Sequence, residues 1–337
     1  MGSSIYYLPT LPIWENKAIG TIVIGMPGSG KQSPVSEIIH TPSGNKLHGD
    51  IKVGDTIFGK DGQETKVLGV YPQGKKQVWE ITLADGRRLK CGKEHLFTFG
   101  RSSHNKIKWD TKTTEEILEL GLYQKDKRVG VTHCKFFLPN NGPIQYNAKV
   151  YEIHPYILGA FLSDGIKSNS KSSVLSLSSG STKIPTEIAK LLSIELNTNI
   201  ICKKEKTPGS YTYHFYYEDG SRVHAKHLTN NQELIELLTN TYSYNKYIPK
   251  EYLYGSIEQR TQLLQGLLDT DGSIGVGPRY TISYSSGSRQ LMDDVKELVR
   301  GLGNFYVNER ATDNRKDHKG YNISIGCDNT RKQTLFR

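Results

Sequence analysis

The feature that most constrains this chain is a nine-residue phrase that occurs twice. Residues 157–165 read ILGAFLSDG and residues 264–272 read LQGLLDTDG, so both have glycine third, aspartate eighth and glycine ninth. Most other positions are apolar, which predicts two buried helices that each end on an acid. Two such helices packed together deliver Asp164 and Asp271 to one place, where paired carboxylates can bind a divalent cation.

The charge balance favours a polyanionic partner. The chain has 337 residues, enough for two or three domains, and its formal net charge is +10 with a pI of about 9.2. Nucleic acid is the first choice of partner for such a surface. Together with the paired acids, the charge indicates cutting of phosphodiester bonds with Mg²⁺, a hard cation that oxygen ligands suit.

The cysteine pattern and the hydropathy of the chain indicate its cellular compartment. The four cysteines lie far apart and include no C-x-x-C pair, so neither a zinc site nor a disulfide framework is predicted. A reducing, cytoplasmic compartment fits this pattern. No apolar run approaches the roughly 20 residues that cross a bilayer, and no signal peptide is recognisable, so we expect no membrane partner.

A phosphate-binding loop lies near the start of the chain. Residues 21–24 read as a strand, and residues 25–31 (GMPGSGK) match the G-x-x-x-x-G-K pattern, in which backbone N–H groups and the lysine bind phosphates. The phosphate ligands would be Gly25, Gly28, Gly30 and Lys31. The pattern then requires Ser or Thr and a helix, whereas Gln32 follows. Two short strands are predicted next, at 66–70 and 77–83, with a turn at 71–74 between them. A P-loop ATPase would alternate strands with long helices, so this pattern indicates that a second protein interrupts the one that carries the loop.

The interrupting segment resembles the splicing domain of an intein. Residues 32–44, 49–55 and 85–97 resemble its first blocks, and the second block carries His95. The resemblance implies a mostly-β Hint-type fold, in which this histidine polarises the scissile peptide at the upstream junction. An imidazole suits that task because it both donates and accepts protons near neutral pH.

Two positions depart from the intein pattern. Gln32 stands where the family has a Cys or Ser nucleophile, and Gly92 stands where the family usually has Thr. A start at Ser33 restores a nucleophile but leaves Gln32 to the host loop. A junction between Lys31 and Gln32 lets a downstream Ser or Thr of the host complete that loop. We therefore favour Gln32 as the first residue, with direct attack by the downstream nucleophile, or an inactivated junction.

The repeated phrase closely resembles the LAGLIDADG motif of homing endonucleases, which commonly sit inside inteins. The resemblance spans 151–337 and implies an αββαββα-type pseudo-twofold repeat that acts as a monomer on double-stranded DNA. It implies that Asp164 and Asp271 are catalytic metal ligands and that Lys246, before an Ile-Pro pair, supports catalysis. Asp269 is predicted to be structural.

Further elements of this repeat follow from hydrophobic patterning. Strands are predicted at 174–178, 211–217, 280–284 and 321–325, and helices at 185–196 and 289–302. The aromatic side chains at 211, 213, 215 and 217 are predicted to pack against helices. Predicted phosphate contacts are Arg279, Arg310, Arg315, Lys316 and the run 203–206.

The predicted fold class is therefore α+β with several domains. We predict a host segment at 1–31 ending in the phosphate loop, a splicing domain at 32–135, a linker at 136–150 and the endonuclease at 151–337. An intein ends in Asn, usually after His, before a Cys, Ser or Thr. Arg337 is not such an ending, so we expect either that the chain is a fragment or that the remainder lies on another polypeptide, and that the chain as given does not splice. The expected partners are a C-terminal intein segment and a host ATPase. The alternatives are a P-loop NTPase with large insertions and a catalytically inactive DNA-binding remnant.

Overall fold

A computed structural model describes most of the backbone of this chain. The described residues are 3–4, 13–24, 31–83, 87–103, 106–125, 130, 132–139, 141–168, 173–207, 210–275, 282–303, 306–314 and 319–326. The chain divides into two compact units, Met1–Gln145 and Tyr146–Arg337. Each unit has its own buried core, so each is described by itself.

The first unit is mostly β. Its strands are β1 (Ser3–Ser4), β2 (Ile13–Ile24), β3 (Lys31–Pro34), β4 (Ile38–Thr41), β5 (Gly44–Leu47), β6 (Thr56–Phe58), β7 (Glu64–Thr82), β8 (Arg88–Cys91), β9 (Leu96–Ser103), β10 (Lys106–Thr113), β11 (Tyr123–Lys125), β12 (Thr132–Cys134) and β13 (Phe136–Leu138), with one described α-helix, α1 (Thr114–Glu119). All pairs are antiparallel, and the larger sheets have the orders β3-β2-β7-β6, with β8 also on β7, and β1-β13-β9-β10.

The turn predicted at 71–74 is wrong, because strand β7 continues through these residues. Strand β7 pairs there with the long strand β2, and shifts in the pairing register accommodate the irregular residues. Gly74 has a φ of 70°, a left-handed conformation that glycine adopts without strain. Pro72 lies where β2 is the only strand partner of β7 among the described residues, so its missing N–H interrupts no second ladder.

A strand, as expected, and not a helix follows the predicted phosphate loop, since β3 begins at Lys31. Gly25, Gly28 and Gly30 lie outside the described residues. The predicted linker, in contrast, begins too early. Phe136 is fully buried in β13 and its ring meets that of Phe99 with 4.9 Å between centroids, so the start of the linker belongs to the core of the first unit.

The second unit mixes helices with two antiparallel sheets. Its helices are α2 (Pro155–Asp164), α3 (Lys183–Glu195), α4 (Gln232–Thr239), α5 (Lys250–Leu253), α6 (Ile257–Asp271) and α7 (Arg289–Gly301). Its strands are β14 (Ser176–Ser178), β15 (Ile200–Thr207), β16 (Ser210–Tyr217), β17 (Gly272–Ile274), β18 (Ile282–Ser286), β19 (Tyr306–Asn314) and β20 (Lys319–Gly326), in the orders β14-β16-β15 and β17-β18-β20-β19. These elements overlap the strands and helices predicted for both halves.

One apolar core fills the second unit and surrounds the paired helices. Tyr213 and Phe215 of β16 are buried, and Phe215 packs in this core, as predicted for that face of the strand. Tyr284 of β18, in the second sheet, is buried in the same core. Within the described ranges, every helix is too short or too polar to serve as a membrane span.

Candidate functional site

Local sequence signals fix both ends of the two motif helices. The side chain of His154 accepts a hydrogen bond from the Tyr156 N–H at the start of α2, and Pro155 occupies the first turn. Helix α6 starts with a reciprocal capping box between Ser256 and Gln259. Both helices end on the aspartate of the repeated phrase, because the glycine that follows has extended backbone dihedral angles.

The motif glycines bring the two helix backbones into contact. A Cβ atom on Gly159 would lie 2.3 Å from the Leu263 carbonyl oxygen, and one on Gly266 would lie 2.3 Å from the Tyr156 carbonyl oxygen. Real carbon atoms do not approach so closely, so only glycine fits at this crossing. Asp164 and Asp271 each follow the crossing by the same number of residues, and therefore both emerge at the same end of the helix pair.

The two carboxylates are half-buried and interact electrostatically. Burial and then the negative charge of Asp271 raise the pKa of Asp164 to about 7, while Lys246 lowers it. Burial also raises the pKa of Asp271, again against an opposing effect of Lys246. Two desolvated acids side by side favour any partner that neutralises them, either a proton or a cation.

Lys246 is buried between the acids and the end of α2. Its Nζ donates hydrogen bonds to the carbonyl oxygens of Phe161, Ser163 and Gly165 at 3.0, 3.2 and 3.2 Å. An ammonium has three N–H donors, and all three are used here. Burial lowers the Lys246 pKa to about 8, although both aspartates raise it. The side chain therefore caps α2 and supplies positive charge beside Asp164, a geometry that fits a charge role better than that of a free base.

Two neighbouring polar residues were not assigned a role from the sequence. The hydroxyl groups of Ser163 and Tyr284 lie 3.1 Å apart, and Tyr284 is fully buried. Burial and then the charge of Asp271 raise the pKa of Tyr284. The register that pairs Gly272 with Tyr284 places the tyrosine beside the end of α6, and no pattern in the sequence reveals that register.

Asp269 differs from the other motif acids. Its Oδ2 accepts a hydrogen bond of 2.8 Å from the Tyr156 hydroxyl on the facing helix. This bond ties α6 to α2 and supports the structural role predicted for Asp269. Within the described residues, no group of three or more His, Cys, Asp and Glu side chains could hold a metal ion, so the protein offers a cation only the two carboxylates Asp164 and Asp271 at this site.

The raised pKa of Asp164 predicts a pH-dependent stability for the protein in EDTA. The pKa of Asp164 is about 7 in the folded protein, whereas that of an aspartate in an unfolded chain is 3.8. The folded state thus binds more protons in this window, and stability falls as pH rises through it. As the pH rises from 4.5 to 7.5, we expect the free energy of unfolding of Asp164→Asn to increase by at least ~1 kcal/mol relative to that of wild type, since each pKa unit corresponds to ~1.4 kcal/mol. Urea unfolding at several pH values measures this difference. If the difference in unfolding free energy between the variant and wild type stayed constant across this range, the raised pKa of Asp164 would be contradicted.

The first unit brings Gln32 and His95 together, as the intein resemblance implies. His95 is buried, and its Nδ1 lies 2.9 Å from the carbonyl oxygen of Gln32. The Gln32 side chain is also buried, and its Nε2 donates to Glu94 at 2.9 Å. Lys76 donates to the same carboxylate oxygen at 2.9 Å, and these two hydrogen bonds lower the pKa of Glu94.

The Gln32 side chain fills the space next to Gly92. A Cβ atom on Gly92 would lie 2.6 Å from Gln32 Oε1, so the buried amide occupies the space that a larger residue would need. Gln32 and Gly92, the two positions that depart from the intein pattern, are therefore complementary in space: a long side chain at one lies against a missing side chain at the other. A threonine side chain lies next to Gly92 all the same, since Thr114 Oγ1 donates to the Gly92 carbonyl oxygen at 3.1 Å.

This match predicts a coupled pair of substitutions. Gly92→Ala displaces the Gln32 amide from Glu94 and costs about 1–2 kcal/mol of unfolding free energy, because a buried hydrogen bond is lost and the site is overpacked. In a Gln32→Ala background the same substitution has room, and we expect it to cost less than ~0.5 kcal/mol. A double-mutant cycle by urea unfolding measures the coupling. Equal costs in both backgrounds would show that the two residues are independent.

The remaining predicted contacts are only partly described. Lys31 lies in β3 but its side chain is outside the described residues, as are those of Arg279, Arg310, Arg315 and Lys316. The run 203–206 lies on β15 with exposed side chains, and Lys203 and Lys204 stack over Tyr216 and Tyr211. These two lysines therefore present charge to solvent next to aromatic rings.

Comparison with known proteins relates the chain to two groups. Residues 258–332 match the family described as LAGLIDADG-like domain. The replicative DNA helicase DnaB of Mycobacterium intracellulare is 26% identical over 300 residues, which are 84% of this chain and 44% of the helicase. The chain thus spans less than half the length of that relative.

The solved structures found by the comparison include homing endonucleases. A variant of I-DmoI in complex with its target DNA and in the presence of manganese is 13% identical, with a TM-score of 0.36, over 55% of this chain and 91% of that one. The N-terminal LAGLIDADG domain of DUF199/WhiA is 11% identical, with a TM-score of 0.32, over 55% of this chain and 80% of that one.

Proposed function

We propose that the second unit is a homing endonuclease that makes metal-dependent double-strand breaks in DNA. The observation that carries the proposal is the pair of desolvated carboxylates, Asp164 and Asp271, at the common end of two helices whose backbones touch. The match of residues 258–332 to the LAGLIDADG-like domain family supports it. Asp164 and Asp271 are the proposed catalytic metal ligands, and Lys246 is the proposed supporting cation.

The donor set fits a hard divalent cation such as Mg²⁺. Both carboxylates have a raised pKa, so bound positive charge relieves the cost of holding two anions together. A cation held there supplies activation of water and neutralisation of the leaving oxygen. Asp164 and Asp271 hold and orient it, while the Lys246 ammonium adds positive charge where the phosphodiester gains negative charge.

A DNA duplex is the proposed substrate because of charge and shape. The whole chain carries a net charge of +10, and the three-stranded sheet of the first half displays Lys203, Lys204 and Lys206 on exposed positions of β15. Contacts of this kind bind phosphates without reading sequence. We propose that the endonuclease acts as a monomer, since the two halves supply one acid each.

The test is selection of a cleaved site from a randomised plasmid library. We expect the full chain with Mg²⁺ to linearise a subset of plasmids that share one sequence, as read by sequencing the ends. EDTA should abolish the products. Binding without cleavage in Mg²⁺ and Mn²⁺ would favour an inactive DNA-binding remnant, and cleavage that persists in EDTA would contradict the metal-dependent mechanism.

We further propose that the first unit is the N-terminal part of an intein splicing domain with its upstream junction at Gln32 and His95. The contact between these two residues supports this assignment, as does the mostly-β architecture after the phosphate loop. Residues 1–31 would then belong to a host ATPase that uses Gly25, Gly28, Gly30 and Lys31 for phosphate after splicing. Similarity to a replicative DNA helicase is in keeping with such a host.

Co-expression of this chain with a C-terminal intein segment that is followed by host ATPase sequence tests splicing. We expect a ligated host protein and a released intein, identified by mass spectrometry. A single unprocessed polypeptide that turns over ATP would instead favour the NTPase alternative.

A further inference from the structure

A second repeated phrase follows each motif helix. Residues 176–181 read SLSSGS and residues 283–288 read SYSSGS, and the spacing between these copies equals the spacing between the two motif aspartates. The copies differ only at Leu177 and Tyr284. The strand register shows that these two residues are equivalent, because each pairs with the glycine that ends its own motif. The second half of the unit therefore carries one hydroxyl group that the first half lacks.

The Tyr284 hydroxyl group lies where an apolar side chain would be easier to bury. Leu177 and Tyr284 are both fully buried in the apolar core of the second unit. A leucine or a phenylalanine buries no polar atom there, whereas a tyrosine hydroxyl loses its water and needs a hydrogen-bond partner. That partner is Ser163, whose Oγ lies 3.1 Å from the hydroxyl oxygen. Tyr284 is thus bonded to the residue that directly precedes Asp164.

The Ser163 hydroxyl connects Tyr284 to the second motif helix. Its Oγ donates to the Leu267 carbonyl oxygen on α6 at 3.4 Å. A carbonyl oxygen only accepts and a serine has one hydroxyl proton, so Tyr284 is the donor to Ser163. The hydroxyl of Thr270, which occupies in the second motif the place that Ser163 has in the first, donates to the same carbonyl oxygen at 3.0 Å. One hydroxyl from each motif therefore meets Leu267, one helical turn before Asp271.

The series Tyr284, Ser163 and Leu267, here called the hydroxyl bridge, joins β18, α2 and α6. The hydrogen bonds of Lys246 hold only the end of α2, so the hydroxyl bridge is what ties that end to the other motif helix. Burial raises the pKa of Tyr284, and the negative charge of Asp271 raises it further. The tyrosine hydroxyl therefore keeps its proton and acts as a donor, not as a metal ligand.

We propose that Tyr284 is a positioning residue for the acid pair. Through Ser163, its hydroxyl holds the ends of α2 and α6 at the separation at which Asp164 and Asp271 bind a divalent cation together. The proposal rests on the metal-dependent cleavage proposed above and adds the group that sets the cation affinity of that site.

The experiment uses Tyr284→Phe in the full chain, which removes only the hydroxyl and keeps the buried ring. We expect Mn²⁺, titrated without DNA and followed by electron paramagnetic resonance of the free ion, to bind about 10-fold more weakly than to wild type, as when an outer partner of a metal ligand is lost. In single-turnover cleavage of the selected DNA site, the Mg²⁺ concentration that gives half the maximal rate should rise by a similar factor. The rate at saturating Mg²⁺ should fall by less than about threefold, a split that a general loosening of the fold does not produce.

Tyr213→Phe is the matched control, and Ser163→Ala is the second variant. Tyr213 is a buried tyrosine in the three-stranded sheet of the first half, and no described residue forms a hydrogen bond with its hydroxyl. We expect Tyr213→Phe to bind Mn²⁺ as wild type does. Ser163→Ala breaks the same hydroxyl bridge, so it should weaken Mn²⁺ binding as Tyr284→Phe does. The double variant should be no weaker than either single variant, because the two hydroxyls act in series.

Thermal melts by circular dichroism show which variants are folded, and Ser163→Ala carries the test if Tyr284→Phe does not fold. Wild-type Mn²⁺ affinity and Mg²⁺ dependence in a folded bridge variant would overturn the role of Tyr284. An equal loss in Tyr213→Phe would overturn it as well, because any missing buried hydroxyl would then suffice. If wild type itself neither bound Mn²⁺ nor cleaved DNA, the proposed metal site would fail, and this assignment would fail with it.

Discussion

Asp164→Asn is expected to abolish DNA cleavage while leaving DNA binding within about twofold of wild type. The substitution keeps the shape of the side chain but removes one of the two charges that bind the cation. We expect the cleavage rate to fall by at least ~100-fold, since loss of even one outer partner of a metal ligand costs about 10–100-fold. The measurement is single-turnover cleavage of the selected DNA site with Mg²⁺, beside a binding assay in Ca²⁺.

Asp269→Asn provides the matched control on the same helix. Its carboxylate accepts a hydrogen bond from Tyr156 and lies two residues before Asp271, so the substitution changes the same chemical group near the same site. An asparagine oxygen can still accept that bond, and we expect cleavage within about threefold of wild type. If the two variants lost activity equally, the division into catalytic and structural acids would be wrong. Asp271→Asn should behave as Asp164→Asn does.

Gly159→Ala is expected to destabilise the second unit strongly. The new methyl group would lie 2.3 Å from the Leu263 carbonyl oxygen and 3.0 Å from the Leu267 nitrogen, which are both backbone atoms. The helices can accommodate it only by moving apart, which opens the core around them. We expect a loss of about 3 kcal/mol or more of unfolding free energy, at the upper end of overpacking effects. Urea unfolding followed by circular dichroism measures it.

Gly180→Ala is the control for this substitution. Nothing lies within 4 Å of a Cβ atom built at Gly180, and its φ is not in the left-handed region. We expect a change of less than ~0.5 kcal/mol. A mild effect at Gly159 would mean that the helices are not in backbone contact, and the placement of the two aspartates would need revision.

The sequence predicts the second unit well because the helical period of its apolar residues and the repeated phrase both constrain it. The glycine and aspartate of each phrase have the predicted places in the helix pair, and Lys246 lies beside them. The sequence does not reveal that the Lys246 ammonium caps α2, because main-chain carbonyl groups accept hydrogen bonds whichever side chains their residues carry. Tyr284 was missed for a similar reason, since its role depends on strand register.

The first unit shows a different limit. Glycine and proline at 71–74 predict a turn, but pairing with β2 keeps the strand continuous, so tertiary contacts override the local signal. Gln32 and Gly92 read as two separate departures from a family pattern. In space they are complementary, which only the distance between the Gln32 amide and the missing side chain makes visible.

The glycine crossing has an implication for how the proposed endonuclease diverges. The separation of the two acids is set by main-chain atoms, so it does not depend on which residues decorate the β-sheets. Substitutions on the sheets can therefore alter the recognised DNA sequence during evolution without moving the two acids. Engineers who retarget this scaffold should therefore randomise exposed strand positions and leave the helix pair untouched.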